Sequence, residues 1–206
     1  MKKNRNNFFA VVSGIYLVLA FSGCISVSNS PMPRFYALGA IQENQVSKRI
    51  NIDSNVLIGV GPVKIPEYQE RPQIVTQDKD NMLKFAQFDR WGESLDLGIA
   101  RLIGEDLAVV LPGAKFTLYP WNATIAVKYQ VVVEIVKLDS ELDKDLFLVA
   151  QWLIIDVQNT KTLIIKRSEF RQLIIPQNYS GLAKTLSTVC ASLSSEIAEA
   201  LAKLET

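Results

Sequence analysis

KYQVVVEIVKLDSELDKDLFLVAQWLIIDVQNTKTLIIKRSEFRQL, residues 128–173, consists of three strand-length runs separated by two short polar breaks. In the first run Tyr129, Val131, Val133 and Ile135 recur at every second position, the period of a strand with one buried face. The spacing predicts strands over Lys128 to Leu138, Leu146 to Val157 and Thr162 to Leu173. The charged turn Asp139 to Asp145 joins the first pair, and Gln158-Asn159-Thr160 joins the second. Connections this short make antiparallel neighbours. A meander with one apolar face needs a cover.

The chain supplies that cover immediately afterwards. Leu182, Leu186, Val189, Leu193, Ile197, Leu201 and Leu204 fall on one helical stripe, with Ser180 expected as the cap and Ser, Lys, Glu and Ala on the other face. A second helix is predicted upstream, where Leu95, Ile99, Leu102, Ile103, Leu107, Val110 and Leu111 recur at three and four until Pro112-Gly113 stops it.

Further strand signals stand at Arg34 to Leu38, Val56 to Val60 and Gln73 to Thr76, the last turning at Asp78 to Asn81 into Met82 to Phe88 as a hairpin. Pro62, Pro66 and Pro72 interrupt the series, so Gly61 to Gln73 is expected at an edge or in a loop. The fold class these elements define is α+β: a single-domain sandwich, a mixed and mostly antiparallel sheet with two main helices packed on one side.

The first residues are of another kind. Lys2, Lys3 and Arg5 precede an apolar run from Phe8 to Phe21, followed by Ser22-Gly23. Positive, apolar and small in that order is a secretory signal, and a run of about 14 residues is shorter than the ~20 that span a bilayer core. Cys24 directly after Gly23 places an acylable thiol at the cleavage point, and Leu19-Ala20-Phe21-Ser22-Gly23-Cys24 resembles the bacterial lipobox, with Phe21 where Leu is usual. The division is therefore a lipoprotein signal peptide at 1–23, a polar proline-containing tether at 24–33 and a folded domain at 34–206. Lipid attachment falls on Cys24, with the several acyl chains, palmitate among them, that such a modification carries; one chain alone holds a protein only marginally. Ile25, where sorting bacteria place Asp to retain a lipoprotein in the inner membrane, favours the outer membrane by resemblance.

Composition closes several function classes. Without its leader the chain has 19 basic and 21 acidic residues, a net of −2, so no basic excess points to nucleic acid. With no histidine, neither a Ser-His-Asp nor a Cys-His site can form, and the commonest neutral metal ligand is missing. Cys190, the one other cysteine, reads as a packed small hydrophobe and has no disulfide partner if Cys24 is lipidated. Asp139, Glu141, Asp143 and Asp145 alternate as a calcium loop begins, but Lys144 occupies the tight-turn glycine position and Ala150 the closing glutamate position. Gly59-Val60-Gly61 follows a strand, yet Lys64 and Pro62 break the dinucleotide fingerprint. No catalytic residue, cofactor site or metal site is assigned, and no enzyme is expected.

What stands out is a proline-braced surface. Gly61 to Val75 and Phe88 to Glu93 bring together Tyr68, Arg71, Arg90 and Trp91, side-chain types that dominate interface hot spots. These four are the candidate partner-binding residues. The competing reading has Tyr68 and Trp91 closing the open end of the sheet over the first helix.

The same blocks carry a resemblance. Arg34-Phe35-Tyr36-Ala37-Leu38, Val60 to Tyr68, Arg71-Pro72-Gln73-Ile74-Val75, Arg90-Trp91-Gly92-Glu93, the Tyr129 to Ile135 strand and the alanine-rich last helix follow in the order found in the PqiC-like auxiliary lipoproteins of bacterial ABC-type transport systems. Gly92-Glu93-Ser94 departs from the Ala-Glu-Pro more usual in that family. The resemblance implies a non-enzymatic envelope lipoprotein facing the periplasm. Its partners would be an inner-membrane ATPase and permease and a periplasmic substrate-carrying protein of the mammalian-cell-entry type, moving lipids or other hydrophobic molecules. Relatives of this kind can assemble into rings, so a homo-oligomer is also implied. The alternative is a carrier holding a lipid in an apolar cavity of a few hundred Å³ between helix and sheet.

Overall fold

The computed structural model describes residues 31–45, 49–53 and 55–205. The expected signal peptide, Cys24 and most of the tether lie outside the described residues.

Among the described residues eight strands and two long helices follow in the order β1 (Arg34–Tyr36), β2 (Leu57–Lys64), β3 (Gln73–Gln77), β4 (Leu83–Trp91), α1 (Leu95–Val110), β5 (Lys115–Leu118), β6 (Tyr129–Ser140), β7 (Asp145–Asp156), β8 (Lys161–Leu173) and α2 (Tyr179–Leu204). They form two sheets rather than the single one expected, a five-stranded sheet ordered β5-β2-β6-β7-β8 and a three-stranded one ordered β1-β4-β3. The β6-β7-β8 meander is antiparallel throughout, whereas β2 pairs in parallel with both β5 and β6, and β1 in parallel with β4.

One face of the meander is apolar and fully covered. Val131, Val133, Leu146, Leu148, Trp152 and Ile154 have no exposed surface, nor have Leu186, Leu193, Ile197 and Leu201 of α2 or Ile99, Leu102, Ile103 and Leu107 of α1. Helix α1 lies over β2 and β5, α2 over β7 and β8, and the helices pack on each other. Burial of each such side chain contributes about 1.5–3 kcal/mol, so this layer accounts for most of the driving force.

Three local readings change. Pro62 lies inside β2, a strand with neighbours on both sides. The proline is tolerated because β5 pairs only with Leu57 to Val60, and the register with β6 shifts between Val60 and Val63, so no partner requires its missing N–H. The cap of α2 is Asn178, whose side chain accepts from the Gly181 N–H at 2.9 Å, in place of Ser180. β1 falls within the strand signal at Arg34 to Leu38, whereas the four-residue β5 carries no signal of its own; both strands are short. Their parallel partners define them.

Two buried groups fasten the layer. Asp106 on α1 has no exposed surface and accepts from the Ile41 N–H at 2.8 Å and the Ser194 hydroxyl at 3.2 Å, tying α1 to α2 and to the segment after β1. Burial pushes its carboxyl up to about 6, against the pull of those two bonds. At Gly181 a Cβ would stand 1.8 Å from the Pro176 carbonyl oxygen, so the first turn of α2 closes directly on the preceding loop.

Gly181→Ala, normally favourable in a helix, is therefore expected to cost about 2 kcal/mol or more in denaturant unfolding. For Asp106 the native state holds its proton more tightly than the unfolded chain, so stability falls as pH rises from about 4 to about 6. Asp106→Asn keeps an acceptor for Ile41 and offers Ser194 a donor. Its melting curves should lose that slope and gain roughly 2 kcal/mol at pH 7.5 relative to wild type; an unchanged slope would assign the dependence to another group.

Candidate functional site

The loop leaving β2 is short and strapped down. Pro66 leads into a single 3-10 turn, Glu67–Gln69, whose Gln69 is buried and donates from Nε2 to the Leu138 carbonyl at 3.0 Å. The adjacent Tyr68 is half-buried, and its hydroxyl donates to Asp139 Oδ1 at 3.3 Å. Burial, with the Asp139 charge alongside, raises the Tyr68 hydroxyl above its ordinary value. Tyr68 is thus bonded to the end of β6.

Arg71 follows, exposed at the rim, with its guanidinium 4.5 Å from the centroid of the Phe85 ring on β4. Stacking of this kind restricts a long side chain in advance and leaves its N–H groups directed outward. Arg90 and Trp91 end β4, and three residues separate Trp91 from the start of α1 at Leu95. The backbone there is held on both sides: the Trp91 N–H donates to Pro72 O at 2.8 Å, and the Gly92 N–H to Tyr36 O at 2.7 Å. Beneath them Asp89, 3% exposed, accepts two bonds from Arg34 at 2.8 Å and one from the Tyr36 hydroxyl at 2.7 Å. Burial opposes the Asp89 charge, but these donors outweigh it and hold the carboxyl below its usual range.

The Trp91 ring is 6% exposed and belongs to the core, so it does not project as a surface anchor. Here the competing reading, a side chain closing the sheet over α1, describes its placement. Its indole N–H and the Arg90 Nε–H, both buried, have no acceptor among the described residues. Unpaired buried donors cost about 1–3 kcal/mol each and are rare.

A surface cleft of about 570 Å³ opens at this corner, lined by Glu70, Arg71, Pro72, Trp91, Ser94 and Asp96 among others. It faces the start of α1, where the Ser94 hydroxyl turns to Asp96 and no side chain caps the first-turn amides. The cleft wall is rigid, because Glu93 is clamped by Arg101, which also bonds Glu105 and the Leu38 carbonyl. Of the four residues named from the sequence, Arg71 and Trp91 line the cleft, whereas Tyr68 and Arg90 stand beside it. Glu70, Ser94 and Asp96 went unnamed. The Ser-x-Asp spacing at a helix start was the available signal.

Elsewhere the polar groups are engaged in structure. Asp139 pairs with Lys137 at 2.9 Å, Glu141 with Lys144 at 3.1 Å and Asp145 with Arg171 at 3.0 Å. Among the described residues no three acids or thiols are grouped to hold a metal ion. Cys190 is fully buried, and burial, with Asp106 nearby, pushes its thiol far up, away from nucleophilic use. Two further clefts, of about 580 and 450 Å³, lie at surface loops: the first by Ile50 to Asp53 and the end of α2, the second between the β3–β4 and β6–β7 turns. None of the three is lined by the helix–sheet interface.

Fold and site together define an α+β module with a braced surface corner. The sequence matches the family of ABC-type transport auxiliary lipoprotein components over residues 36–198, and the chain belongs to that family. The family is described as lipoproteins auxiliary to ABC-type transport. No helix among the described residues is long and apolar enough to cross a membrane. No curated protein matches the sequence. Two solved structures share the fold: an uncharacterized protein, 17% identical with a TM-score of 0.66, covering 83% of this chain and 99% of its own, and a protein of Xanthomonas campestris, 7% identical with a TM-score of 0.62, covering 80% and 92%.

The two roles open to Trp91 separate by substitution. Trp91→Ala should cost about 3–5 kcal/mol in thermal or urea unfolding, as a core truncation does. Trp91→Phe, which deletes the unpaired N–H and keeps most of the volume, should stay within about 1 kcal/mol of wild type. A loss from Phe as large as from Ala would mean that the indole N–H has a partner in solution.

Proposed function

We propose that this chain is an adaptor anchored by lipid on Cys24 to the outer membrane, facing the periplasm, and that its Arg71–Trp91 cleft docks a partner of the transport system. The partner is the periplasmic substrate-carrying protein that works with an inner-membrane permease and ATPase on lipids or other hydrophobic molecules. The observation that carries the docking claim is the surface cleft of about 570 Å³, walled by the Arg101–Glu93 pair, with Arg71 pre-oriented at its rim and the first-turn amides of α1 uncapped beside it. A polypeptide segment carries the carbonyl and carboxylate acceptors that such donors take. Membership of a transport auxiliary family supports a partner that is itself part of a transporter. The filled helix–sheet layer favours docking over carriage of a lipid inside the fold.

The test is capture of the purified substrate-carrying protein encoded alongside this chain by the acylated protein in detergent. Arg71→Glu and Glu70→Arg, both at exposed positions that should not disturb folding, are each expected to weaken binding about tenfold or more. Unchanged binding by both variants would remove the cleft from the interface. Mass spectrometry of the protein from its own cells should show three acyl chains on Cys24; a free thiol there would refute the anchor.

A further inference from the structure

The opposite end of β4 presents a different surface. Met82 is 61% exposed and Phe85 50%, with Leu83 also exposed beside them on the β3–β4 hairpin. Leu173 and Ile175, at the end of β8 and just after it, are 62% and 72% exposed. The structure brings these segments to one end of the molecule. The β3–β4 turn shares a cleft with Glu141, Leu142 and Asp143 of the β6–β7 turn. The 173–177 segment is bonded to that same turn, by the Ile174 N–H to Lys144 O at 3.1 Å and by Gln177 Nε2 to Asp143 O at 2.7 Å.

Charge at this end largely cancels internally. Lys84 pairs with Asp78 at 3.4 Å, Lys144 with Glu141 and Arg171 with Asp145. Lys79, Asp80 and Asp143 are also exposed at the two turns, one base against two acids, so this end carries only a small net charge beside its aliphatic, aromatic and methionine surface. An apolar cluster of this size on a soluble domain marks an interaction surface.

The direction of the chain indicates which. β1 pairs in parallel with the far end of β4, Arg34 opposite Asp89 and Tyr36 opposite Trp91, so the polypeptide enters β1 from the side on which β4 begins, the Met82–Phe85 side. Nine residues, 25–33, lie between Cys24 and Arg34. Fully extended the segment reaches at most ~35 Å, so a lipidated Cys24 keeps the bilayer within that distance of β1.

We propose that the end formed by the β3–β4 turn, the β6–β7 turn and the 173–175 segment rests on the lipid surface, with Met82, Leu83, Leu173 and Ile175 entering its interfacial layer. This rests on the lipid-anchor reading above. It adds a second, apolar membrane contact that fixes the orientation of the domain, with the Trp91 and Asp96 wall of the docking cleft at the far end of β4 and Arg71, stacked on Phe85, between the two. Because the net charge is small, the contact responds weakly to salt and to anionic lipid.

The experiment uses the acylated full chain in phosphatidylcholine vesicles carrying brominated acyl chains. Single tryptophans are introduced as Met82→Trp, as Leu173→Trp and, as a control beside the docking cleft, as Leu97→Trp, each read against the parent protein's own fluorescence. Met82→Trp and Leu173→Trp should shift to the blue and lose emission about twofold under quenching, while Leu97→Trp stays unquenched. If the protein is acylated and vesicle-bound but neither probe is quenched, the membrane contact is refuted and the anchor stands. Shielding of the two probes only when the substrate-carrying protein is added would give the surface to a protein and overturn the proposal equally. Mass spectrometry on the same sample separates the remaining case, since an unacylated Cys24 refutes both anchor and contact.

Discussion

Burial of a single face of the β6-β7-β8 meander under α1 and α2 is the constraint from which the rest of the molecule follows. The meander alone is a twisted sheet with one water-incompatible side, and an isolated sheet of that kind neither folds stably nor stays soluble. Helix α2 can cover it only if its first turn lies close to the loop after β8, which is why Asn178 caps it and a residue without a Cβ stands at 181. Asp106 then sets α1 beside α2 through Ser194 and pulls the segment after β1 onto both. A carboxylate kept in so dry a place is an expense for stability, and it yields a defined relation among three elements that apolar packing alone would leave free to slide.

With that layer fixed, the small sheet has little freedom. Ser140 and Gln69, both buried, bond to the backbone of β3 and β6, Ser140 to Val75 O at 3.4 Å and Gln69 to Leu138 O at 3.0 Å, and so attach the β1-β4-β3 sheet to the end of the meander. β4 is held further by β1, through the Arg34–Asp89 pair and the Tyr36 hydroxyl. The Arg71–Trp91 corner is therefore positioned by a chain of backbone and buried side-chain bonds reaching back to the core. Few of its atoms are free to adapt. A partner docking there, as proposed, would meet a surface organised in advance, which lowers the entropic cost of binding.

How much of this the sequence discloses depends on whether a feature is periodic. β6, β7, α1 and α2 bury one face over 12 or more residues each, so Val131-Val133-Ile135 and Leu182-Leu186-Val189-Leu193 are legible without any structure. β5 is not, because a strand of four residues has no room for a period and exists through its neighbour. Pro62 argued locally against a strand, and the argument was sound. What it lacked was the knowledge that β5 stops at the residue paired with Val60. At the corner, residue type pointed to Trp91 as an interface side chain, but burial is decided by what surrounds a residue in the fold, and Trp91 is part of the same apolar core as Ile74 and Leu95. Arg71 was legible in type and position together because nothing covers it.

The arrangement along β4 has a consequence for how position passes through the molecule. One strand of nine residues runs from exposed Leu83 to buried Trp91. Near its end Asp89 accepts both bonds of the Arg34 guanidinium at the start of β1. Position therefore passes from β1 to the Trp91 end of β4 through a bidentate ion pair and a short parallel ladder rather than through a loose loop. The pair needs the Asp89 carboxyl ionised, and the donors that bind it are the same groups that hold its pKa below the usual carboxylate range.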